Sequence, residues 1–302
     1  MRKEYIGLFT IIISIGLFVF GGYMLTLHKK NEVNNYEWYI EETKVYKVWE
    51  EYTGKDIIIA FLDSGISNEH ISKYGDRIRN PYNFIDGTTD VLDLTGHGTA
   101  MISVTSGRFS EVGIHGIAPD TKIIPIVVMN DLGNTSGQLL SEGIYYAVDN
   151  GADIINLSLG SLIENELVKY AIEYAHENQV IVVAAGGDNR DSNILYPAKY
   201  ETVIAVQAQS KLGVPYLHSS NGSEIDILIP GEIIKACGLT SRTFIVKNGS
   251  SISTALTSGI VALLLEKGLN YNEVMDYILS YSHEDLFIDI EKLVFNYVKI
   301  GG

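Results

Sequence analysis

Short apolar runs that alternate with amphipathic stretches fill most of the sequence after residue 57 and constrain its fold most strongly. Several of these runs are continuous β-branched segments and lack the polar alternation of a strand with one solvated face. They therefore predict the strands of a parallel sheet that is covered on both faces. The six candidates are 57–62, 122–128, 153–157, 180–185, 202–207 and 225–229.

The amphipathic stretches predict helices between these strands. In one of them, 137–149, the residues Leu140, Ile144 and Ala147 form a one-sided apolar stripe. Strand–helix–strand alternation with right-handed crossovers predicts a three-layer α/β fold with a mostly parallel central sheet. In such a fold the functional groups gather at the carboxyl ends of the strands. The helix candidates are about 98–106, 137–149, 164–178 and 251–267.

Residues 6–27 carry no charge and predict one N-terminal transmembrane helix. A helix of 22 residues is ~33 Å long and matches the ~30 Å hydrocarbon core of a bilayer. A cleaved signal peptide is the alternative, but its apolar part is shorter and a small-residue cleavage site follows it. We therefore expect a membrane anchor over 1–30, a polar linker over 31–44 and one folded domain over 45–302.

The formal net charge is −15, and residues 1–30 carry four basic residues and one acidic residue, a net of +3, so the remainder of the chain carries about −18. A domain this acidic is a poor candidate for nucleic-acid binding, which needs basic patches to neutralise phosphates. The single cysteine, Cys237, excludes an internal disulfide. It predicts a small buried residue, with a reactive thiol as the alternative.

Three short segments carry the residue types that acyl transfer needs. Asp63 follows the first apolar run, His97 lies between two glycines at the start of a helix, and Ser251 precedes an apolar helix. Singly, each has an ordinary structural interpretation as a turn residue or a helix cap. Together they offer a hydroxyl nucleophile, a base to take its proton and a carboxylate to orient the base.

These segments resemble the subtilisin family of serine proteases over roughly residues 45–267, and subtilisin is itself the standard example of the chain order Asp, His, Ser. The segment 97–119 runs from a G-H-G-T motif to G-I-A-P, where the family has G-V-A-P. Residues 156–160 read N-L-S-L-G against the family's N-M-S-L-G. Residues 249–254 read G-S-S-I-S-T against G-T-S-M-A-T. The matches are ordered and specific.

The resemblance implies a catalytic triad. Ser251 would attack the scissile carbonyl, His97 would act as general base and then as general acid, and Asp63 would hold the imidazole. Backbone N–H groups at the N-terminus of the helix that carries Ser251 would face the developing oxyanion.

The resemblance also implies a peptide-binding edge at Ser158, Leu159 and Gly160, whose main chain would pair with an extended substrate. The walls of the S1 pocket, which receives the substrate side chain before the scissile bond, would then include 158–160 and 184–187. These residues are small and apolar, so they predict a sizeable apolar side chain at that substrate position, P1.

The chain departs from the family at the oxyanion hole. Where family members read A-A-A-G-N-E-G, this chain has A-A-G-G-D-N, and an ungapped match places Asp188 at the position of the Asn donor. An ionised carboxylate there accepts hydrogen bonds and repels the oxyanion. Losing the donor costs ~10²–10³ in kcat, a magnitude known from subtilisin itself. Protonation of Asp188, use of Asn189 after a one-residue shift, and slow turnover all remain open.

Two further departures concern folding and metal binding. Only residues 31–44 separate the anchor from the domain, so we expect no prodomain. The loop 108–114 occupies the place of the family's strong calcium site but lacks its Asn-rich ligands. We therefore expect no required cofactor, and a structural calcium ion only at a weakened site or through carboxylates elsewhere.

Taken together, the sequence predicts a single-pass cell-membrane serine endopeptidase whose domain lies outside the cytoplasm and acts on peptides or proteins. The alternative is a catalytically weak or inactive subtilisin-like protein that binds peptides at the membrane. Asp188 favours that alternative, whereas the intact set of Asp63, His97 and Ser251 favours the enzyme.

Overall fold

The computed structural model describes residues 37–281 and 288–296 of the chain. The strands within them are β1 (Ile58–Asp63), β2 (Tyr82–Asn83), β3 (Arg108–Phe109), β4 (Ile114–His115), β5 (Lys122–Val127), β6 (Ile154–Leu157), β7 (Ile181–Ala185), β8 (Val203–Gln209), β9 (Ile227–Pro230), β10 (Ile234–Cys237) and β11 (Phe244–Lys247). The α-helices are α1 (Trp38–Thr43), α2 (Asn68–Tyr74), α3 (His97–Ser106), α4 (Gly137–Asp149), α5 (Glu166–Glu177), α6 (Ser250–Glu266), α7 (Tyr271–Tyr281) and α8 (Ile290–Phe295).

A seven-stranded sheet in the order β2-β5-β1-β6-β7-β8-β9 forms the centre of the domain, and all its strand pairs are parallel. Every residue of β7 and β8 is buried, as expected for strands covered on both faces. The six predicted strands are confirmed, with ends that differ by one or two residues, as helix and strand limits usually do. The antiparallel pairs β3–β4 and β10–β11 were not predicted.

Helices cover both faces of this sheet and complete three layers. On one face α4 and α5 pack together and bury Leu140, Ile144 and Ile172 in one apolar cluster. On the other face α3 and α6 contribute Ile102 and Leu256 to a second cluster. The predicted three-layer α/β architecture is therefore confirmed. The four predicted helices are α3, α4, α5 and α6.

Residues 37–44, the described part of the predicted linker over 31–44, belong to the packed domain and do not form a linker. Helix α1 buries Tyr39 and Ile40 completely in the core, and the Tyr39 hydroxyl donates a hydrogen bond to the His115 carbonyl at 2.8 Å. The prediction failed because acidic and polar residues outnumber Tyr39 and Ile40 in this segment. The average composition of a short segment does not reveal which of its side chains are buried. The linker boundary is corrected on this point.

The predicted membrane anchor, 1–30, lies outside the described residues, as does the linker up to residue 36. In the part of the chain that the structure describes, no helix has the length and apolar character needed to cross a bilayer.

The loop 108–114 contains β3, a short 3-10 helix (Ser110–Val112) and the start of β4, and its residues Phe109 and Ile114 are buried. Across residues 37–281 and 288–296, no three His, Cys, Asp or Glu side chains lie together as metal ligands would.

Cys237 is fully buried at the end of β10, and its burial raises the thiol pKa to about 12. The interpretation of Cys237 as a small core residue is confirmed.

Candidate active site

The three predicted triad residues lie at the ends of strands or helices on the carboxyl side of the sheet. Asp63 is the last residue of β1, His97 is the first residue of α3, and Ser251 is the second residue of α6. Parallel strands bring their carboxyl ends to one edge, and the helices that follow begin there with free backbone N–H groups. The fold thus brings a carboxylate and an imidazole into contact, and the helix that carries the Ser251 hydroxyl packs against the helix of the imidazole.

Asp63 and His97 form a hydrogen-bonded pair. The His97 Nδ1 lies 2.8 Å from Asp63 Oδ1 and 3.0 Å from Oδ2. The Asp63 side chain is 1% exposed, whereas the His97 side chain is 24% exposed and so remains accessible from the cleft. The Asp63 carboxylate raises the pKa of His97, and burial of the imidazole opposes that rise. This arrangement leaves the second ring nitrogen, Nε2, available as a base.

Close backbone approach at Gly98 makes this pair possible. A Cβ on Gly98 would lie 2.2 Å from the Gly65 carbonyl oxygen and 3.2 Å from Asp63 Oδ1. Any side chain at residue 98 would therefore push α3 away from the end of β1. Residue 98 is glycine because only a residue without a side chain allows this close approach of the backbone.

A buried carboxylate that the sequence analysis missed holds the turn before His97. Asp93 is 2% exposed, and its Oδ1 accepts hydrogen bonds from the backbone N–H groups of Thr95 and Gly96. Its Oδ2 accepts from both the N–H and the hydroxyl of Thr99. The signal was the spacing D-x-T-G-H-G-T, in which an Asp caps the turn and the helix that follow it.

The Ser251 hydroxyl points toward the predicted substrate-binding segment. Its Oγ donates to the Ser158 carbonyl at 2.9 Å, and the Ser158 hydroxyl donates back to the Ser251 carbonyl at 2.9 Å. Asn156 Nδ2 donates to the Ser158 hydroxyl at 3.0 Å. Among the hydrogen bonds of the described residues, none joins Ser251 Oγ to His97. Rotation of the serine about its Cα–Cβ bond is the step that would redirect Oγ to the imidazole.

Asp188 packs against the first turn of the helix that carries Ser251. Its Oδ1 accepts a hydrogen bond from the Ser250 backbone N–H at 2.6 Å. A Cβ on Gly249, whose φ is +112°, would lie 2.4 Å from Asp188 Oδ2. Asp188 thus caps α6 in place of Gly249, which has no side chain to do so.

The two oxyanion-hole candidates therefore differ in where their side chains lie. Partial burial raises the pKa of the Asp188 carboxyl, and the Ser250 hydrogen bond opposes that rise, although the residue as a whole is exposed. The Asn189 side-chain oxygen instead accepts a hydrogen bond from the Asp191 N–H at 3.2 Å, within the same loop. The Asp188 side chain, and not that of Asn189, therefore contacts the first turn of α6, the helix that carries Ser251.

The segment of Ser158, Leu159 and Gly160 continues β6 beyond the edge of the sheet. Across the described residues, the main chain of Gly160 has no hydrogen-bond partner in the protein, whereas Ser161 pairs with Tyr196. An unpaired main chain of this kind is a template for one more strand. The predicted peptide-binding edge is therefore open beside Ser251.

Two cavities lie near these residues, one beside Ser64 and one at the edge formed by 158–160. A cavity of about 470 Å³ lies beside Ser64, which follows Asp63, and includes Asp90 and Met129 in its lining. A second cavity, of about 390 Å³, is lined in part by Leu159 and Gly160. An extended peptide laid along 158–160 would find room for side chains here.

Known proteins resemble this chain in sequence and in fold. The model of the subtilase family of S8 peptidases matches residues 54–287. Thermophilic serine proteinase from Bacillus sp. (strain AK1) is 33% identical over 217 residues, which cover 72% of this chain and 54% of that protein. Minor extracellular protease Epr from Bacillus subtilis (strain 168) is 32% identical over 238 residues, covering 78% of this chain and 36% of that protein. This chain therefore spans about half or less of these two relatives.

Other matches extend over most of the relative. Subtilisin DY from Bacillus licheniformis is 31% identical over 220 residues, covering 72% of this chain and 79% of that protein. The crystal structure of a cold adapted subtilisin-like serine proteinase superposes with a TM-score of 0.69 at 23% identity, covering 76% of this chain and 83% of that one. The fold is thus subtilisin-like, and the chain belongs to the subtilase family of serine peptidases.

Proposed function

We propose that the protein is a serine endopeptidase that hydrolyses peptide bonds with Ser251, His97 and Asp63 through an acyl-enzyme intermediate. The observation that carries the proposal is the Asp63–His97 hydrogen bond at 2.8 Å, with Ser251 in the first turn of a helix that packs against the helix of His97. Membership of the subtilase family supports the same reaction class.

The first step of the reaction forms the acyl-enzyme. Ser251 Oγ attacks the scissile carbonyl and passes its proton to His97 Nε2, while Asp63 stabilises the imidazolium that results. The oxyanion faces the Ser251 backbone N–H, one of the first donors of α6 without a partner inside the helix. His97 then returns the proton to the leaving amine, and water releases the acyl group by the same steps in reverse.

Substrate binding in this proposal uses strand addition. The unpaired main chain of Gly160 pairs with the peptide on the acyl side of the scissile bond. The same groove suits peptides and unfolded protein segments, because a folded loop rarely lies extended over several residues. The reaction needs no cofactor, and any calcium ion is assigned a structural role only.

The proposal includes a location. Residues 6–27 anchor the chain as a single pass in the cell membrane, and the peptidase domain lies outside the cytoplasm. The uncharged length of that segment supports an anchor.

The second candidate is a peptide-binding protein with little or no turnover. Two observations favour it: Asp188 offers a carboxylate where a donor is expected, and Ser251 Oγ donates to Ser158 instead of His97. Both candidates bind peptides along 158–160, so only chemistry at the serine separates them.

Labelling of the full-length chain with a fluorophosphonate probe tests the reaction class. An activated serine is expected to react covalently, and His97→Ala should abolish the labelling because no base remains to take the proton. His176→Ala, an exposed histidine on α5, is the matched control and should label like the wild type. A folded wild-type protein that does not label would contradict the enzyme and favour the peptide-binding candidate.

The pH dependence of cleavage provides a separate prediction. His97 must be neutral to act as base, and the Asp63 carboxylate raises its pKa above the usual 6.5. We therefore expect kcat/KM to fall as the pH drops through a midpoint above 6.5. Asp63→Asn should move that midpoint to lower pH, besides lowering kcat by about 10⁴-fold, as the same change does in trypsin. An unchanged midpoint in Asp63→Asn would mean that another group controls the acid limb.

A further inference from the structure

Leu195 lies between the two segments that flank the cleft beside Ser251. Strands β6 and β7 are neighbours in the sheet, with Leu157 opposite Ala184. Beyond their carboxyl ends the chain continues through Gly160 on one side and Gly187 on the other. We call the gap between these two glycines the S1 slot, because on the proposed function it receives the P1 side chain.

One leucine side chain spans this slot. A Cβ on Gly160 would lie 2.8 Å from Leu195 Cβ and 3.1 Å from its Cδ1. A Cβ on Gly187 would lie 2.8 Å from Leu195 Cγ and 2.9 Å from the same Cδ1. A single methyl group therefore contacts both walls, and the glycines are needed to leave room for it.

The backbone holds Leu195 in the slot. Its N–H donates to the Gly186 carbonyl at 3.0 Å, which ties it to one wall. The next residue, Tyr196, exchanges two hydrogen bonds with Ser161 at 2.8 and 2.9 Å, which ties it to the other. The side chain therefore cannot leave the slot by a simple movement of its loop.

We propose that Leu195 closes the S1 slot to large side chains and restricts the peptidase to substrates with Gly, Ala or Ser at P1. This inference rests on the proposed function. A P1 aromatic ring would have to occupy the space that the leucine already fills, and overpacking of this kind forces side chains and backbone apart. The expectation of a sizeable apolar P1 residue, drawn from the small wall residues alone, is replaced by this one.

Cleavage of internally quenched peptides that differ only at P1 tests the proposal. For the full-length wild type, kcat/KM is expected to be at least ~100-fold higher with Ala at P1 than with Phe. Leu195→Ala should raise kcat/KM for the Phe peptide by about 10- to 100-fold, because it empties the slot, and should change the Ala peptide little. Leu212→Ala, the same change at a residue that is 87% exposed, should leave the ratio at the wild-type value.

Binding measured without turnover separates this inference from the proposed function. The same peptides, carrying a fluorophore, are titrated with the Ser251→Ala protein and followed by anisotropy. Tighter binding of the Ala peptide than of the Phe peptide, lost when Leu195→Ala is added, supports the plugged slot even if the wild type cleaves neither peptide. Equal affinity for the two peptides, or a Phe peptide cleaved as fast as the Ala peptide, overturns it.

Discussion

Ser251→Ala is expected to lower kcat by about 10⁶-fold, the loss known for the nucleophile of subtilisin itself. Without Oγ there is no atom to form the acyl-enzyme, and the remaining backbone donors and the binding groove accelerate only direct attack by water. Initial rates on a peptide with Ala at P1 measure the loss. Turnover near the wild-type rate would exclude Ser251 as the nucleophile.

The fold of this variant should be preserved. Ser251 Oγ makes one hydrogen bond, to the Ser158 carbonyl, and such a bond contributes about 1 kcal/mol to stability. Ser253→Ala is the matched control, because Ser253 lies on the same helix but donates to the Ile229 and Pro230 carbonyls away from the triad. It should cost comparable or greater stability in thermal unfolding and yet retain cleavage.

The core of the fold was predictable because its signal is local. A continuous run such as 180–185 is apolar on both faces, and its shortness and β-branched residues are typical of a strand covered on both sides, so β7 and its neighbours were found from composition and spacing. Helix α1 was missed for the opposite reason. Its two core residues, Tyr39 and Ile40, lie among acidic neighbours, and only contacts with residues far along the chain make them buried.

The site residues also divide into those that a local sequence motif marks and those that only the folded structure reveals. Asp63, His97 and Ser251 lie in short motifs, each at the end of a strand or the start of a helix, so the fold itself implies that they meet. Leu195 carries no such motif, and the D-x-T-G-H-G-T spacing that marks Asp93 was not recognised. Asp93 holds the turn before His97 through hydrogen bonds to residues close to it in the chain. Leu195 contacts Gly160 and Gly187 because its loop folds back against them, and local periodicity does not encode that.

Asp188→Asn is expected to raise kcat at pH 8 by about 10²–10³-fold, the magnitude known from the corresponding donor in subtilisin. The amide keeps an oxygen to accept the 2.6 Å hydrogen bond from the Ser250 N–H and replaces the second carboxylate oxygen with an N–H donor. At the oxyanion position that the family resemblance assigns to Asp188, a donor would stabilise the oxyanion and an ionised carboxylate would repel it. Initial rates of both proteins on one peptide measure the change.

The size of this gain should depend on pH. Burial raises the pKa of Asp188, so its protonated form, which can donate, becomes more populated as the pH falls. The ratio of the two kcat values should therefore shrink toward acid pH, and the titration of His97 cancels in that ratio. Asp191→Asn removes the same charge from the same exposed loop and should change neither kcat nor its pH dependence.

The same substitution should also change the thermal stability of the protein. An ionised Asp188 at the N-terminus of α6 stabilises the helix dipole, an effect of about 0.3–1 kcal/mol, so Asp188→Asn should lower Tm slightly while it raises kcat. A faster and slightly less stable variant would show that Asp188 contributes more to holding the helix than to catalysis. A rate that stays flat or falls while Tm drops would instead mean that the carboxyl lies outside the oxyanion position, or that the hole already works with Asp188 as its donor.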